Sequence, residues 1–292
     1  MIFDTHIHLN DTKLLENLDF YIKSAIDKNV THFLCVGWDL ESSKVAIKLS
    51  EKYENVFCAI GVIPTEHKQY NLKDSDCPTI NELERLLSTS SKIKAIGEIG
   101  LDYYWERDQE IKEKQTKMFL EQIELANKYN LPVSIHCRDA IQDTFNILKA
   151  NKVKEAGIMH CFSGSKEMAK EFIKLNFKIA FGGVLTFKNA KEAKEVLRSI
   201  PLDSIVFETD APYLSPVPYR GKINIPEYIV ETVKYASESL NLSYEEIQKI
   251  TFHNSCKILH VKESVWICEN SNCCWRKNRH WFFIYFFRLR FL

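Results

Sequence analysis

Short apolar runs alternate with longer amphipathic stretches from the first residue to about Val261, the pattern of repeated strand and helix units with parallel strands. Eight runs read as strands, over residues 2–5, 32–36, 57–60, 95–99, 132–135, 157–159, 178–181 and 204–207. Within residues 109–129, Ile111, Gln115, Met118, Phe119, Gln122, Ile123 and Ala126 fall near helical spacing, a face suited to covering the outside of a barrel. Eight such units close naturally. A doubly wound open sheet usually has fewer strands and carries a glycine-rich phosphate fingerprint after its first strand, which this chain lacks. The expectation is an α/β chain, a single (β/α)8 TIM barrel over residues 1–262, with an appended C-terminal tail over 263–292. That tail holds three of the five tryptophans and three of the nine cysteines, has no glycine, and ends in an aromatic stretch too short and too charged to span a bilayer. Surface association, a subunit contact and an artefact of gene translation all stay open for it.

Charge narrows the way a substrate can be held. Lys plus Arg (39) equal Asp plus Glu (39), so no general basic field draws polyanions to the surface, and such a substrate needs local charges or metal. The nine cysteines sit in apolar contexts without framework spacing and read as buried, reduced thiols. The first residues carry no basic segment followed by an apolar core of a signal peptide, so a cytoplasmic location is the default expectation.

His6 and His8 fall at the end of the first predicted strand, and the two-residue period of a strand points both the same way. Taken alone, a strand cap and a solvated ring would explain this pair equally well. Glu98, His136, His160 and Asp210, however, each fall at or just beyond the C-terminal end of another predicted strand, and in a barrel these ends converge on one rim. Six nitrogen and oxygen donors at one mouth describe a metal centre. Imidazole and carboxylate together suit zinc, manganese, nickel or iron, and a carboxylate-rich half also accepts magnesium, so the donors do not choose the metal. Glu98 can bridge two ions because its carboxylate has two oxygens. Glu208 and Asp4 share a strand face with Asp210 and His6 and could orient a ligand from behind. His32, His253, His260 and His280 read as structural, and His67 as a solvated loop histidine.

The motifs Phe3-Asp4-Thr5-His6-Ile7-His8, Ile96-Gly97-Glu98-Ile99-Gly100-Leu101-Asp102-Tyr103, Ile135-His136-Cys137-Arg138, Met159-His160-Cys161-Phe162-Ser163-Gly164 and Glu208-Thr209-Asp210-Ala211-Pro212-Tyr213-Leu214 occur in this order. With them the chain closely resembles, from Met1 to about Val261, the TatD-type metal-dependent deoxyribonucleases of the amidohydrolase-like barrel superfamily. The resemblance implies two divalent cations (Mg2+, Mn2+ or Zn2+), one held by His6, His8, Glu98 and Asp210 and the other by Glu98, His136 and His160. It also implies that Arg138, Tyr103, Arg220 and Lys222 lie near a substrate phosphate. Two departures stand out. Ile63 and Thr65 replace the histidines of the family's usual Gly-x-His-Pro-His, and Ile223 and Ile225 stand where an arginine and an acidic residue are common. Both fall on the expected substrate rim, so metal binding should survive while substrate preference shifts.

The expected chemistry is hydrolysis of DNA phosphodiester bonds by a two-metal-activated water, with Glu98 shared between ions and Asp210 as general base. The neutral surface favours exonuclease action on strand ends or short single strands. A rival is hydrolysis of an amide, lactone or small phosphoester on the same barrel; many such enzymes bridge their ions with a carbamylated lysine, for which Lys94 lies too deep. A catalytically weak metal-binding scaffold is a third reading, set apart by metal analysis.

Overall fold

The structure, a computed structural model, describes residues 1–69 and 78–263. Eight parallel strands follow one another in sequence order around a single sheet: β1 (Ile2–Ile7), β2 (Val30–Val36), β3 (Val56–Ile60), β4 (Ile93–Asp102), β5 (Val133–Arg138), β6 (Gly157–Met159), β7 (Lys178–Phe181) and β8 (Ile205–Phe207). Helices return the chain between them on the outside, and the compact unit spans Met1–Val261. The seam between β8 and β1 is closed by the end of β8 and the loop after it: Thr5 Oγ1 donates to Phe207 O (3.0 Å), Asp210 N to His6 O (2.9 Å) and His8 N to Ala211 O (2.9 Å). The barrel expectation holds. The tail from Ser264 onward, with His280, lies outside the described residues.

Alternation along the strands sorts the core into two parts. In β2, Phe33 and Cys35 face the helices while Leu34 and Val36 join the inner cluster. Alanines 59, 95 and 180 leave the lumen room for Phe3 and for Phe252, which enters from the last helix, Tyr244–Ile258, and closes the barrel floor. His32 belongs to this plug: its ring lies 5.0 Å from that of Phe252, and burial pushes its pKa down to about 4, leaving it neutral. His67 departs from expectation, because the 3-10 turn Pro64–Gln69 folds it inward, with Nδ1 3.3 Å from Pro64 O. Cys35 and Cys58 are buried thiols, and Cys137 and Cys161 are unbridged. Among the described residues no helix is long and apolar enough to cross a membrane.

The helix Gln109–Tyr129 buries the predicted face, but two of its members do more than cover the barrel. Gln115 accepts from Asp102 N and donates to Asp102 O (both 3.0 Å), and Gln122 accepts from Val62 N (2.8 Å) and donates to Val62 O (3.0 Å). Two turns apart on one helix, they pair in amide fashion with the chain where β4 ends and β3 has just ended. Replacing Gln122 by Leu strands a buried N–H and C=O at Val62, and is expected to cost about 2 kcal/mol, read as a melting-temperature fall of roughly 5 °C.

Candidate metal centre

β4 runs three residues past the predicted stop at 99, since Gly100, Leu101 and Asp102 continue the pairing against His136, Cys137 and Arg138. Glycine weakens a strand in general, but here both glycines around Glu98 are required by the neighbouring backbone. A Cβ on Gly97 (φ +154°) would stand 2.6 Å from Ser134 O, and one on Gly100 (φ +140°) 2.0 Å from His136 O. This tight approach presses β4 against β5. Glu98 and His136 therefore project from within their strands rather than from the ends.

All six expected donors meet at one mouth of the barrel. Glu98 Oε2 lies 3.6 Å from His6 Nε2 and 3.8 Å from His8 Nε2, while Oε1 lies 2.8 Å from His136 Nδ1 and 3.8 Å from His160 Nε2. Asp210 Oδ1 is 3.4 Å from His8 Nε2 and 3.9 Å from His160 Nε2. The rings of His6 and His160 stack at 3.5 Å between centroids. The far nitrogens are fixed from behind: His6 Nδ1 by Ser134 Oγ (3.2 Å), His8 Nδ1 by Val36 O (3.1 Å) and His160 Nδ1 by Glu208 Oε2 (3.0 Å). Glu208 also accepts from Cys161 N (2.7 Å), so it sets both the ring and the turn carrying it. Asp4 accepts from Thr209 N (2.9 Å) and Thr209 Oγ1 (2.6 Å), tying the His6 strand to the Asp210 loop.

The donors fit a cation. Two ligands about 2.1 Å from one ion at a tetrahedral angle stand about 3.4 Å apart, the scale of the 3.4 and 3.6 Å separations above and too long for a charged hydrogen bond. His6 Nε2 is buried without a hydrogen-bond partner among the described residues. His6, Glu98 and His160 form one group able to hold an ion, and His6, His8 and Asp210 another. His136 differs, because its Nε2 also meets Asp102 Oδ2 at 2.9 Å; ligation by His136 requires one of its two carboxylate contacts to be given up.

Burial opposes charge throughout the cluster, and the partners decide the outcome. On Glu98, contacts with His136 and His6 outweigh burial and hold the carboxyl well below its usual range; on Asp210, His8 and the neighbouring imidazoles outweigh burial and lower it. Against burial, Glu208, Asp210 and Glu98 raise His160 to about 10, and Asp102 and Glu98 raise His136 to about 9. His6 is lowered by burial and by His160 beside it. The centre thus keeps Glu98 and Asp210 ionised and faces them with imidazoles whose pKa values these carboxylates raise, His8 through Asp210 as well as His136 and His160.

Asp102, Ser134 and Asn224 were not assigned roles from the sequence. Asp102 shares strand parity with Glu98, and Ser134 with His136, so parity was the available signal. Asn224 Nδ2 donates to Thr209 O (2.8 Å) and Tyr213 O (2.7 Å), pinning the loop that carries Asp210.

The expected rim residues are more dispersed. Arg138 is exposed, its guanidinium 3.7 Å above the Tyr104 ring. Tyr103 is buried, donates to Asp143 Oδ2 (3.1 Å) and lies under Lys112. Arg220 stacks on Phe187 at 3.7 Å, and Lys222 is exposed near Tyr219. Ile63 and Thr65 are half-buried in the turn after β3, Ile223 is exposed, and Ile225 packs on the outer core.

The model of the TatD related DNase family matches residues 3–260. An uncharacterized metal-dependent hydrolase of Bacillus subtilis, YabD, is 40% identical over 262 residues, 89% of this chain and 100% of its own. The uncharacterized metal-dependent hydrolase YcfH of Escherichia coli K12 is 33% identical, covering 90% of this chain and 97% of its own. Among solved structures, the TatD homolog YjjV of Escherichia coli superposes with a TM-score of 0.82 at 28% identity, over 89% of this chain and 98% of its own. A hydrolase TatD family protein of Entamoeba histolytica gives 0.76 at 25% identity, over 88% and 97%. With a match running nearly from end to end of the barrel and through every strand that contributes a donor, this chain belongs to the TatD family of metal-dependent hydrolases.

Proposed function

We propose that the chain is a metal-dependent phosphodiesterase that removes nucleotides from single-stranded or frayed DNA ends. The observation that carries this reading is the placement of an exposed guanidinium, Arg138, two residues beyond His136 on the same strand, so that a phosphate-binding fork opens beside the donor cluster. His6, His8, Glu98 and Asp210 would hold one divalent cation, and Glu98, His160 and a released His136 the second. Bound cations supply the charge that acidifies a water near neutral pH and offsets charge on phosphoryl oxygens. Asp210 takes the proton from the attacking water, its carboxyl being ionised at neutral pH. Arg138 and Lys222 would offset charge on the phosphate oxygens, and Asp102, 2.9 Å from His136 Nε2, orients that ring. A neutral chain with its chemistry in one recessed mouth suits strand ends better than the interior of a duplex.

End-labelled single-stranded and duplex oligonucleotides in Mg2+ or Mn2+ test this. A ladder growing from one end, faster on the single strand, is expected; cuts throughout the strand would rule out the exonuclease reading, and intact substrate would rule out both. One observation favours a second reading: Leu214, Val217 and Ile223 expose apolar surface on the loop after β8, which suits an uncharged ester or lactone. A lactone panel in the same buffers separates the two.

Metal loading should release protons. His136 and His160, raised to about 9 and 10, are cationic at pH 7, whereas a ligating imidazole must be neutral. Raised values put the protonated form below them, so apparent affinity should increase as pH rises from 6 towards 9, by about tenfold per unit for each proton released. Calorimetric titration in two buffers of different ionisation enthalpy reads the proton count; identical heats in both would contradict the assignment.

A further inference from the structure

The rim beside Arg138 carries aromatic surface that the metal centre does not use. Asp102 and Arg138 are register partners at the ends of β4 and β5, and Tyr103 N donates to Arg138 O (2.9 Å). The chain then turns, with Tyr104 N donating to Asp102 Oδ1 (3.0 Å), the carboxylate whose other oxygen meets His136. The next two side chains stand outward: Tyr104 is 44% and Trp105 65% exposed, their rings edge to face at 4.7 Å. Arg138 Cζ lies 3.7 Å from the Tyr104 centroid and 5.4 Å from that of Trp105. Leaving an indole in water forgoes burial of an apolar surface that an interior position would supply, and two exposed rings packed edge to face, with a guanidinium over one of them, describe a surface for a planar partner.

We propose that Trp105 and Tyr104 form a stacking platform for the terminal nucleobase of a single strand, while the free N–H edge of Arg138 receives the adjoining phosphate. A ring face accepts any base, which makes the contact tolerant of sequence. A guanidinium centred over a tyrosine face leaves N–H groups around its edge that can grip phosphate oxygens in pairs. Three of the nearby acids have partners of their own: Asp102 with His136, Asp143 with Tyr103, and Asp139 Oδ2 at 4.0 Å from Arg107. The guanidinium next to the rings favours a nucleotide over a neutral sugar or an apolar side chain. The platform would grip the last base and so deliver the scissile phosphate to the mouth, which rests on the phosphodiesterase reading above.

The test compares a short single-stranded oligonucleotide with the same strand carrying abasic tetrahydrofuran residues at both ends, using wild-type protein, Trp105→Ala and Trp105→Phe. Wild type should prefer the base-bearing strand in kcat/KM, Trp105→Ala should shrink that preference about tenfold, mostly through KM, and Trp105→Phe should restore most of it. A preference that persists in Trp105→Ala, or an equal fall on both strands, overturns the platform. Fluorescence anisotropy of both labelled strands separates this inference from the enzymatic reading. If neither strand is hydrolysed but wild type binds the base-bearing one more tightly and Trp105→Ala does not, the platform stands and the phosphodiesterase falls. Equal binding of the two strands by wild type overturns the platform whether or not hydrolysis occurs.

Discussion

Glu98→Gln is expected to lower hydrolysis by a factor on the order of 10³ or more while leaving the barrel folded. The substitution keeps volume and shape and removes one charge. In the native centre that charge lies within 3.8 Å of a nitrogen of each of four imidazoles. An amide in its place keeps one acceptor oxygen and turns N–H groups to the other side, so it cannot accept both from His136 and on the side of His6 and His8, and it takes a charge from a side chain that reaches both halves of the centre. Metal-assisted charge stabilisation is worth several kcal/mol, and each 1.36 kcal/mol is tenfold in rate, which sets the expected loss. Elemental analysis of the purified variant should show bound metal falling with activity. Circular dichroism should stay near wild type, because no cavity is made and no backbone pairing lost, while the lost charged contacts lower the melting temperature by roughly 5 °C. Near-native turnover in a variant with full metal content would remove Glu98 from the chemistry.

The six donors were legible because barrel geometry converts a one-dimensional rule into a three-dimensional one. Strands that alternate with helices must bring their C-terminal ends to one rim, so polar residues at those ends meet without any knowledge of register. Register is what the sequence withheld. Whether His136 faces only Glu98 or also Asp102 depends on how far β4 continues past Gly100, and glycine at that position reads locally as a stop. The support of His6 by Ser134 likewise depends on which residue of β5 lies beside β1 across the lumen.

Gln115 and Gln122 illustrate a second limit. Helical spacing placed them correctly on the buried face, but a polarity scale cannot tell a tolerated glutamine from one that satisfies two backbone groups at the end of a strand. His67 and Tyr103 illustrate a third: a loop histidine and a motif tyrosine both turn inward, and only the fold decides whether such a ring meets solvent or packing. Trp105 went the other way, left in solvent where its size alone would have placed it inside.

Gly100→Ala should be the most destabilising single methyl that the barrel can acquire near its site. Two costs add at this position. A residue with a side chain rarely adopts φ +140°, a strain of about 1–3 kcal/mol, and the new Cβ would stand 2.0 Å from His136 O, inside backbone that cannot move without shifting the β4 to β5 pairing. Together they amount to about 4 kcal/mol, read as a urea midpoint shifted strongly downward or as insoluble protein. Gly221 supplies the control, since it too has a positive φ (+83°) but nothing lies within 4 Å of an added Cβ. Gly221→Ala should therefore cost only the backbone conformation, about 1 kcal/mol. Equal losses in the two variants would mean that close approach between β4 and β5 contributes nothing to holding Glu98 and His136 together.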